Sequence, residues 1–364
     1  EGTLASQLTE AVNYNDDEYK NNKDIAPINR IKVNINESDY IKSFIDKEIN
    51  NDDELGKSAK RNEFNDASEE KEYKLDELRK NELRNKHFNV GDLDFFNGYG
   101  GFDKSDKSYV IRLKDYENTP APWINVISNK DFGFHISEGG STYTWCGNSR
   151  ENKITPWSND WVIDPTGEAL YIRDNTSGAY FTITPMPIRD GGEYIIKHSF
   201  GFSTFKHIAY NIRGEMKVFC PQDEKIKLCK ISLKNLSNVD KSLSLFYYAQ
   251  LVLGVYNYGS AKYISTHVQG QYIYGQNPYS KYFGKLKAYL SINGEDNQSF
   301  TGDRKSFLGV GEDLSSPEAL LKDSLNNVSG SIYDPCLAAS LDIELKAGEE
   351  KELVIIFGEE ENEK

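Results

Sequence analysis

Between Gly139 and Asp174 the chain interleaves Trp145, Trp157 and Trp161 with Asn148, Arg150, Asn152, Asn159 and Asp160. Flat apolar rings suit the C–H face of a sugar, and planar amides and charged groups suit its hydroxyls. The same residue types also shape turns and fill cores, so composition leaves both roles open. A second cluster is Thr301-Gly302-Asp303-Arg304. Its Asp303 and Arg304 could clamp hydroxyls or phosphate, although an internal salt bridge in a loop is the plainer expectation.

Glycoside cleavage needs a carboxylic acid to protonate the leaving oxygen, usually opposed by a second carboxylate. Glu138, Glu151, Asp160, Asp164, Glu168, Asp174 and Asp303 are candidates, and spacing singles out none of them. The histidines, His87, His135, His198, His207 and His267, form no metal-ligand pattern, so neither a metal nor another cofactor is expected. Gly-x-Ser-x-Gly, P-loop and dinucleotide fingerprints are missing, and Gly98-Tyr99-Gly100-Gly101-Phe102 has no following Lys-Ser/Thr to cradle phosphate. Cys146, Cys220, Cys229 and Cys336 are too scattered for a disulfide framework. They read as buried free thiols of a cytoplasmic protein.

The elements that would position these residues fall into two regions. Residues 1–88 are crowded with Asp, Glu, Lys and Asn and predict a charged helical leader or linker, with Leu4, Leu8 and Val12 on one helical face. So do Ile41, Phe44, Ile45 and Ile49, behind a Ser38 or Asp39 cap. Residues 89–364 switch to a period of two, as Leu243, Leu245, Tyr247, Ala249, Leu251 and Leu253 show. Strands are predicted near 108–113, 122–128, 132–137, 168–174, 179–185, 194–208, 212–219, 263–274 and 285–292. Leu341-x-Ile343-x-Leu345, a turn at Ala347-Gly348, and Leu353-x-Ile355-x-Phe357 predict a hairpin. Ile226 and Leu228 are out of phase with Ile231 and Leu233, predicting a bulge near Cys229. A short helix is predicted over 315–325. The fold class is therefore mainly β, a large antiparallel sandwich.

The net charge of −14 argues against nucleic acid and against contact with an anionic membrane. A neutral ligand fits the Tyr- and Trp-rich composition best. No run approaches about 20 apolar residues, and no signal peptide is evident. A start at Glu1 suggests a fragment or a processed terminus.

A longer set of motifs carries a resemblance. It begins at Phe96-Asn97-Gly98-Tyr99-Gly100-Gly101-Phe102 and continues through Thr119-Pro120-Ala121-Pro122-Trp123-Ile124-Asn125 and Phe132-Gly133-Phe134. Ser137-Glu138-Gly139, Tyr143-Thr144-Trp145, Asn148-Ser149-Arg150-Glu151-Asn152 and Thr155-Pro156-Trp157-Ser158-Asn159-Asp160 follow. Glu168-Ala169-Leu170-Tyr171-Ile172-Arg173-Asp174, Thr301-Gly302-Asp303-Arg304 and Asp334-Pro335-Cys336 complete it. Over residues from about 95 to 358 the chain resembles the N-terminal domain of glycoside hydrolase family 94. That family holds inverting cellobiose and chitobiose phosphorylases and the C-terminal part of cyclic β-1,2-glucan synthases, and the motifs are most similar to the glucan synthase branch.

The resemblance implies a galactose-mutarotase-like β-supersandwich, followed in the family by a helical linker and an (α/α)6 barrel. The family's general acid is a barrel aspartate in a Gly-Phe-Arg-Asp-Gln-type motif, which does not occur here. The implied chain therefore carries carbohydrate-facing loops without a complete active site. Inorganic phosphate, the co-substrate of the complete enzyme, would replace the activated water, leaving one carboxylic acid to be supplied by protein. A β-glucan oligosaccharide, the barrel and a second copy in a homodimer are the implied partners. The residues expected to face substrate are Trp145, Asn148, Arg150, Asn152, Trp157, Asn159, Asp160, Asp303 and Arg304. Two other readings stay open: a stand-alone binding or scaffold module, and a mutarotase-like epimerase, for which His198 and His207 are the only near histidine pair.

Overall fold

Along Lys241–Gln250, Leu243, Leu245, Tyr247 and Ala249 point one way and Ser244, Phe246 and Tyr248 the other, and both sets are buried. A strand covered on both faces requires a layer on each side of it, and that requirement organises the molecule. The computed structural model describes residue 88 and residues 91–293, 298–311 and 313–361. The helices expected within residues 1–87 lie outside the described residues.

Lys241–Gln250 is the middle strand of a five-stranded sheet, between Pro335–Leu345 and Glu168–Asp174, with Gln298–Asp303 and Tyr180–Thr182 at the edges. Facing it is a twelve-stranded antiparallel sheet whose central run is Phe202–Ala209, Ile212–Phe219, Ile226–Asn235, Glu350–Glu360 and Lys287–Asn293. Between the two lies the main core, which includes Leu243, Leu245, Ile231, Leu233, Leu290, Ile355 and Phe357. Phe246, Tyr248 and Tyr171 point outward into a second core, closed by Phe307 and Leu308 of the helix Arg304–Leu308 and by Ala319 and Leu320. A three-stranded sheet, Ile124–Ser128, Phe132–Ser137 and Thr142–Cys146, adds Phe132, Phe134 and Ile136 to the main core.

Four expectations are corrected. Residues 341–357 form no hairpin: Pro335–Leu345 pairs in the five-stranded sheet and Glu350–Glu360 in the twelve-stranded one. The turn between them is an arch joining the two layers, so the alternating apolar residues face each other across the core. Ile226–Asn235 has no bulge, since its register runs unbroken against both neighbours. Its inward positions are Lys227, Cys229, Ile231 and Leu233, so the apparent phase break was a buried lysine. The 315–325 helix shrinks to a 3-10 turn, Glu318–Leu321, because Pro317 and Lys322 on either side are extended. Residues 194–208 make two strands, Tyr194–Ser199 and Phe202–Ala209, around Gly201 at φ +81°. The left-handed conformation there suits glycine.

Candidate functional site

Trp145 sits on Thr142–Cys146 and is half-buried against Gly133, where a Cβ would fall 2.5 Å from the indole. The Tyr143 ring stands 5.1 Å from Trp145 and 6.5 Å from Trp157, centroid to centroid. Lys153 Nζ lies 6.0 Å from the Trp157 ring centre. The structure thus brings Trp145 and Trp157 together through Tyr143, with Trp157 49% exposed. Beyond it, Trp161, Val162 and Ile163 are also exposed, on a turn whose backbone amides at Val162 and Ile163 donate to Asp160 Oδ1 at 3.0 Å.

The amides divide by task. Asn148 Oδ1 accepts from the backbone N–H of Arg150 and of Glu151, both at 2.9 Å, and so shapes its own loop. Arg150 is exposed and pairs loosely with Glu151 at 3.6 Å, and Asn159 is exposed. Asn152 is 1% exposed, and its Nδ2 donates to the Cys146 carbonyl at 3.2 Å and to Glu359 Oε2 at 2.5 Å. In this conformation Asn152 is a strut inside the protein.

Asp303 and Arg304 stand apart from this loop. Gln298–Asp303 changes register between Thr301 and Asp303, at Gly302, where a Cβ would lie 2.0 Å from Thr266 Oγ1. Asp303 then caps Arg304–Leu308, accepting from the amides of Lys305 and Ser306. Arg304 donates from Nε to the Tyr248 hydroxyl at 3.0 Å and from Nη1 to Asp334 Oδ2 at 2.9 Å. The adjoining cavity, about 410 Å³, is lined by residues 303–305, 308–311 and Tyr333-Asp334, with none from the Trp145–Asp160 stretch. Asp303→Ala should cost about 1 kcal/mol, because the cap holds the helix that seats Phe307 and Leu308; urea unfolding of both proteins checks this.

Sequence reasoning missed a ring of tyrosines beside the tryptophan loop. Lys153 bridges Gly254 and its Nζ donates to the Val255 carbonyl at 3.0 Å. Gly147 lies against the Phe283 ring, and Asn277 Nδ2 donates to the Leu253 carbonyl at 2.8 Å. These contacts gather the loops 146–163, 254–263 and 277–284 at one end of the sandwich. Exposed Tyr256, Tyr258, Tyr279 and Tyr282 decorate it, with Tyr263 stacked on Tyr279 at 4.1 Å. Turn-forming Gly, Asn and Pro around closely spaced tyrosines in 254–284 were the available signal.

The carboxylates serve the fold. Glu138 accepts from Thr119 Oγ1 and from the Trp123 amide, and burial pushes its carboxyl above the usual range. Asp164 accepts from Ser137 Oγ at 2.6 Å, and Asp174 pairs with Lys241 at 2.6 Å. Glu168 is buried against Lys227. Among the described residues no three His, Cys, Asp or Glu side chains stand close enough to hold a metal ion.

His198 and His207 do not converge. They lie on neighbouring strands opposite Ser203 and Tyr194 respectively, four residues apart along the sheet, or roughly 13 Å. His198 faces Ser203 Oγ and the Trp123 carbonyl, and burial lowers it to about 4. His207 is fully buried, stacked on Tyr194 at 3.9 Å and bonded to Asp190 and the Glu193 carbonyl. An epimerase centre would require the two in one cleft.

The model of the glycosyl hydrolase 94 supersandwich domain matches residues 107–364. The chain belongs to this family. It is 33% identical over 276 residues to the cyclic beta-(1,2)-glucan synthase of Rhizobium meliloti (strain 1021), covering 75% of this chain and 10% of that protein. It is 25% identical over 268 residues to the N,N'-diacetylchitobiose phosphorylase of Vibrio furnissii, covering 71% of this chain and 33% of that one. The chain thus spans at most a third of these relatives. A solved galactose mutarotase-like protein from Lactobacillus casei ATCC 334 matches with a TM-score of 0.39 at 10% identity, over 65% of this chain and 100% of that chain. That likeness is too loose to bear on function. Within the glycosyl hydrolase 94 supersandwich, the Thr301–Arg304 motif builds a bulge, a cap and a half-exposed ion pair, whereas the Trp145–Asp160 stretch ends on exposed aromatic surface. No helix among the described residues is long and apolar enough to cross a membrane.

Proposed function

We propose that this supersandwich is the non-catalytic, glucan-facing part of a larger glycan-processing enzyme of the phosphorolytic or glucan-synthesising kind. One observation carries the proposal: the buried acids that sequence put forward, Glu138, Glu168 and Asp174, are each tied to structural partners, while Trp157, Trp161 and the Tyr256–Tyr282 ring stand exposed at one end. Such an end positions a sugar, or seats a neighbouring domain, without breaking bonds. Bond cleavage would fall to an acid on an (α/α)6 barrel, with inorganic phosphate as co-substrate and a homodimer as the assembly. The β-1,2-glucan relative makes a β-glucan the ligand to try first. The chain alone should bind sophorose, the β-1,2-linked glucose disaccharide, without turning it over in phosphate buffer. Trp157→Ala should weaken binding roughly tenfold, equivalent to ~1.4 kcal/mol. Phosphorolysis by the chain alone, or unchanged calorimetric affinity in the variant, would sink the proposal.

A further inference from the structure

A groove of about 280 Å³ crosses the outer face of the twelve-stranded sheet, on strands that play no part in the loops above. Alternation along Lys287–Asn293 sends Ala288, Leu290 and Ile292 into the core and leaves Tyr289 and Ser291 on the outer face. Register then sets two cross-strand rows. Tyr272, Ser291 and Ile356 form one, and Tyr274, Tyr289 and Gly358 form the other. Each row has a small residue beside large ones, Ser291 in the first and Gly358 in the second. On a pleated face this leaves a trough walled by tyrosine rings and by Ile356. The volume lies near the lower end for small-molecule sites, ~300–1,000 Å³.

The lining chemistry narrows the ligand. Lys225 and Lys287 are balanced by Glu224 and Glu360, and Lys225 already pairs with Glu360 at 3.6 Å. A lining without excess positive charge, on a chain of net charge −14, offers little to a phosphate or other anion. Phenol rings with hydroxyl tips suit a flat ligand that has one apolar face and many hydroxyls. Burial pushes the Tyr289 hydroxyl up to about 12, so it keeps its proton at neutral pH. The strands Tyr272–Gln276 and Lys287–Asn293 are joined through the 277–284 loop, which places one end of the trough beside the aromatic end of the sandwich.

We infer that this trough is a second saccharide site, holding one or two pyranose rings of a neutral glucan away from the tryptophan loop. The inference rests on the glucan-facing reading of the chain but uses different residues, so the two are separable. A chain anchored here would present its continuation to the aromatic end of the sandwich, raising the local concentration of substrate there.

Isothermal titration of the full chain with sophorose, supported by saturation-transfer NMR, tests it. Ser291→Phe fills the trough from its floor, and Tyr272→Ala removes a wall; thermal melting identifies which variants remain folded. Two classes of site are expected in the unmodified chain. Ser291→Phe and Tyr272→Ala should each remove one class or weaken it at least tenfold, while Trp157→Ala weakens only the other. Loss of all binding in Trp157→Ala would overturn the trough and leave the loop proposal standing. Loss of all binding in Ser291→Phe would do the reverse. Unchanged stoichiometry and affinity in a folded Ser291→Phe or Tyr272→Ala variant would also overturn it.

Discussion

Replacing Lys227 with methionine is expected to destabilise the protein by about 3–5 kcal/mol at neutral pH, lowering its melting temperature by roughly 10 °C for a domain of this size. Lys227 is 2% exposed and occupies an inward slot of Ile226–Asn235, among apolar residues of the main core. Its Nζ contacts the Glu168 carboxylate, lies 3.0 Å from Thr144 Oγ1, and stands 5.2 Å from the Phe134 and 5.1 Å from the Phe357 ring centres. Glu168 also accepts from Thr144 at 2.6 Å, Thr155 at 3.0 Å and Tyr247 at 2.5 Å.

Burial alone would raise the Glu168 carboxyl, but the Lys227 charge and these hydrogen bonds outweigh it and hold the group below its ordinary value. Its contribution is therefore present above the unfolded value, near 4.5, and is lost as pH falls through the folded one. Without the ammonium, three neutral donors face a buried charge that they cannot balance. The carboxyl would then rise and take up a proton, so the deficit of Lys227→Met should shrink on acidification. Adding Glu168→Gln should recover much of the loss. Urea unfolding at pH 7 and pH 5, closed as a double-mutant cycle, checks all of this. A loss below 1 kcal/mol, or one equal at both pH values, would contradict it.

The same lysine shows why part of the fold could be read from sequence and part could not. Alternation in Leu243–Ala249 identified a strand, because one-sided burial imposes a period of two whatever lies opposite. It could not say that Phe246 and Tyr248 are buried too, since the second core depends on a helix more than fifty residues later in the chain. Nor could it assign sheets: Leu341–Leu345 and Leu353–Phe357 carry the pattern of a hairpin, yet an arch needs the same pattern. Lys227 looked like a phase break because a charge is assigned to solvent unless its partner is known, and Glu168 is 59 residues away.

The candidate site was legible to the same degree. Trp145 and Trp157 stand near one another through Tyr143 because they are neighbours on one strand and its following loop. Asn152, Asp303 and Arg304 fall in the same grouping, but residues that satisfy buried polar groups have the same composition as residues that bind sugar hydroxyls. Tyr256, Tyr258, Tyr279 and Tyr282 went unnoticed because loops have no period, and their grouping depends on Lys153 meeting Gly254 and on Tyr263 stacking against Tyr279.

Glu359→Gln should move stability in the opposite direction, and its effect should grow with pH. Glu359 is buried like Glu168, at 1% exposed, but its one charged neighbour of opposite sign among the described residues, Lys225, acts on it from a distance and is engaged with Glu360. Burial pushes its carboxyl up to about 8. The folded value exceeds the unfolded one of 4.5, so the folded protein holds an extra proton between the two. The stability linked to that proton is fully present below about 4.5 and is lost as pH rises through about 8. Glutamine keeps an oxygen for the Asn152 amide and removes the titration. The variant should melt with the unmodified chain near pH 4.5 and be more stable by on the order of 2–3 kcal/mol at pH 7. Parallel melting curves across pH 4.5–8 would contradict this. The two variants together test one rule: a buried carboxyl in this sandwich stays ionised where a cation is built in beside it and carries a proton where none is.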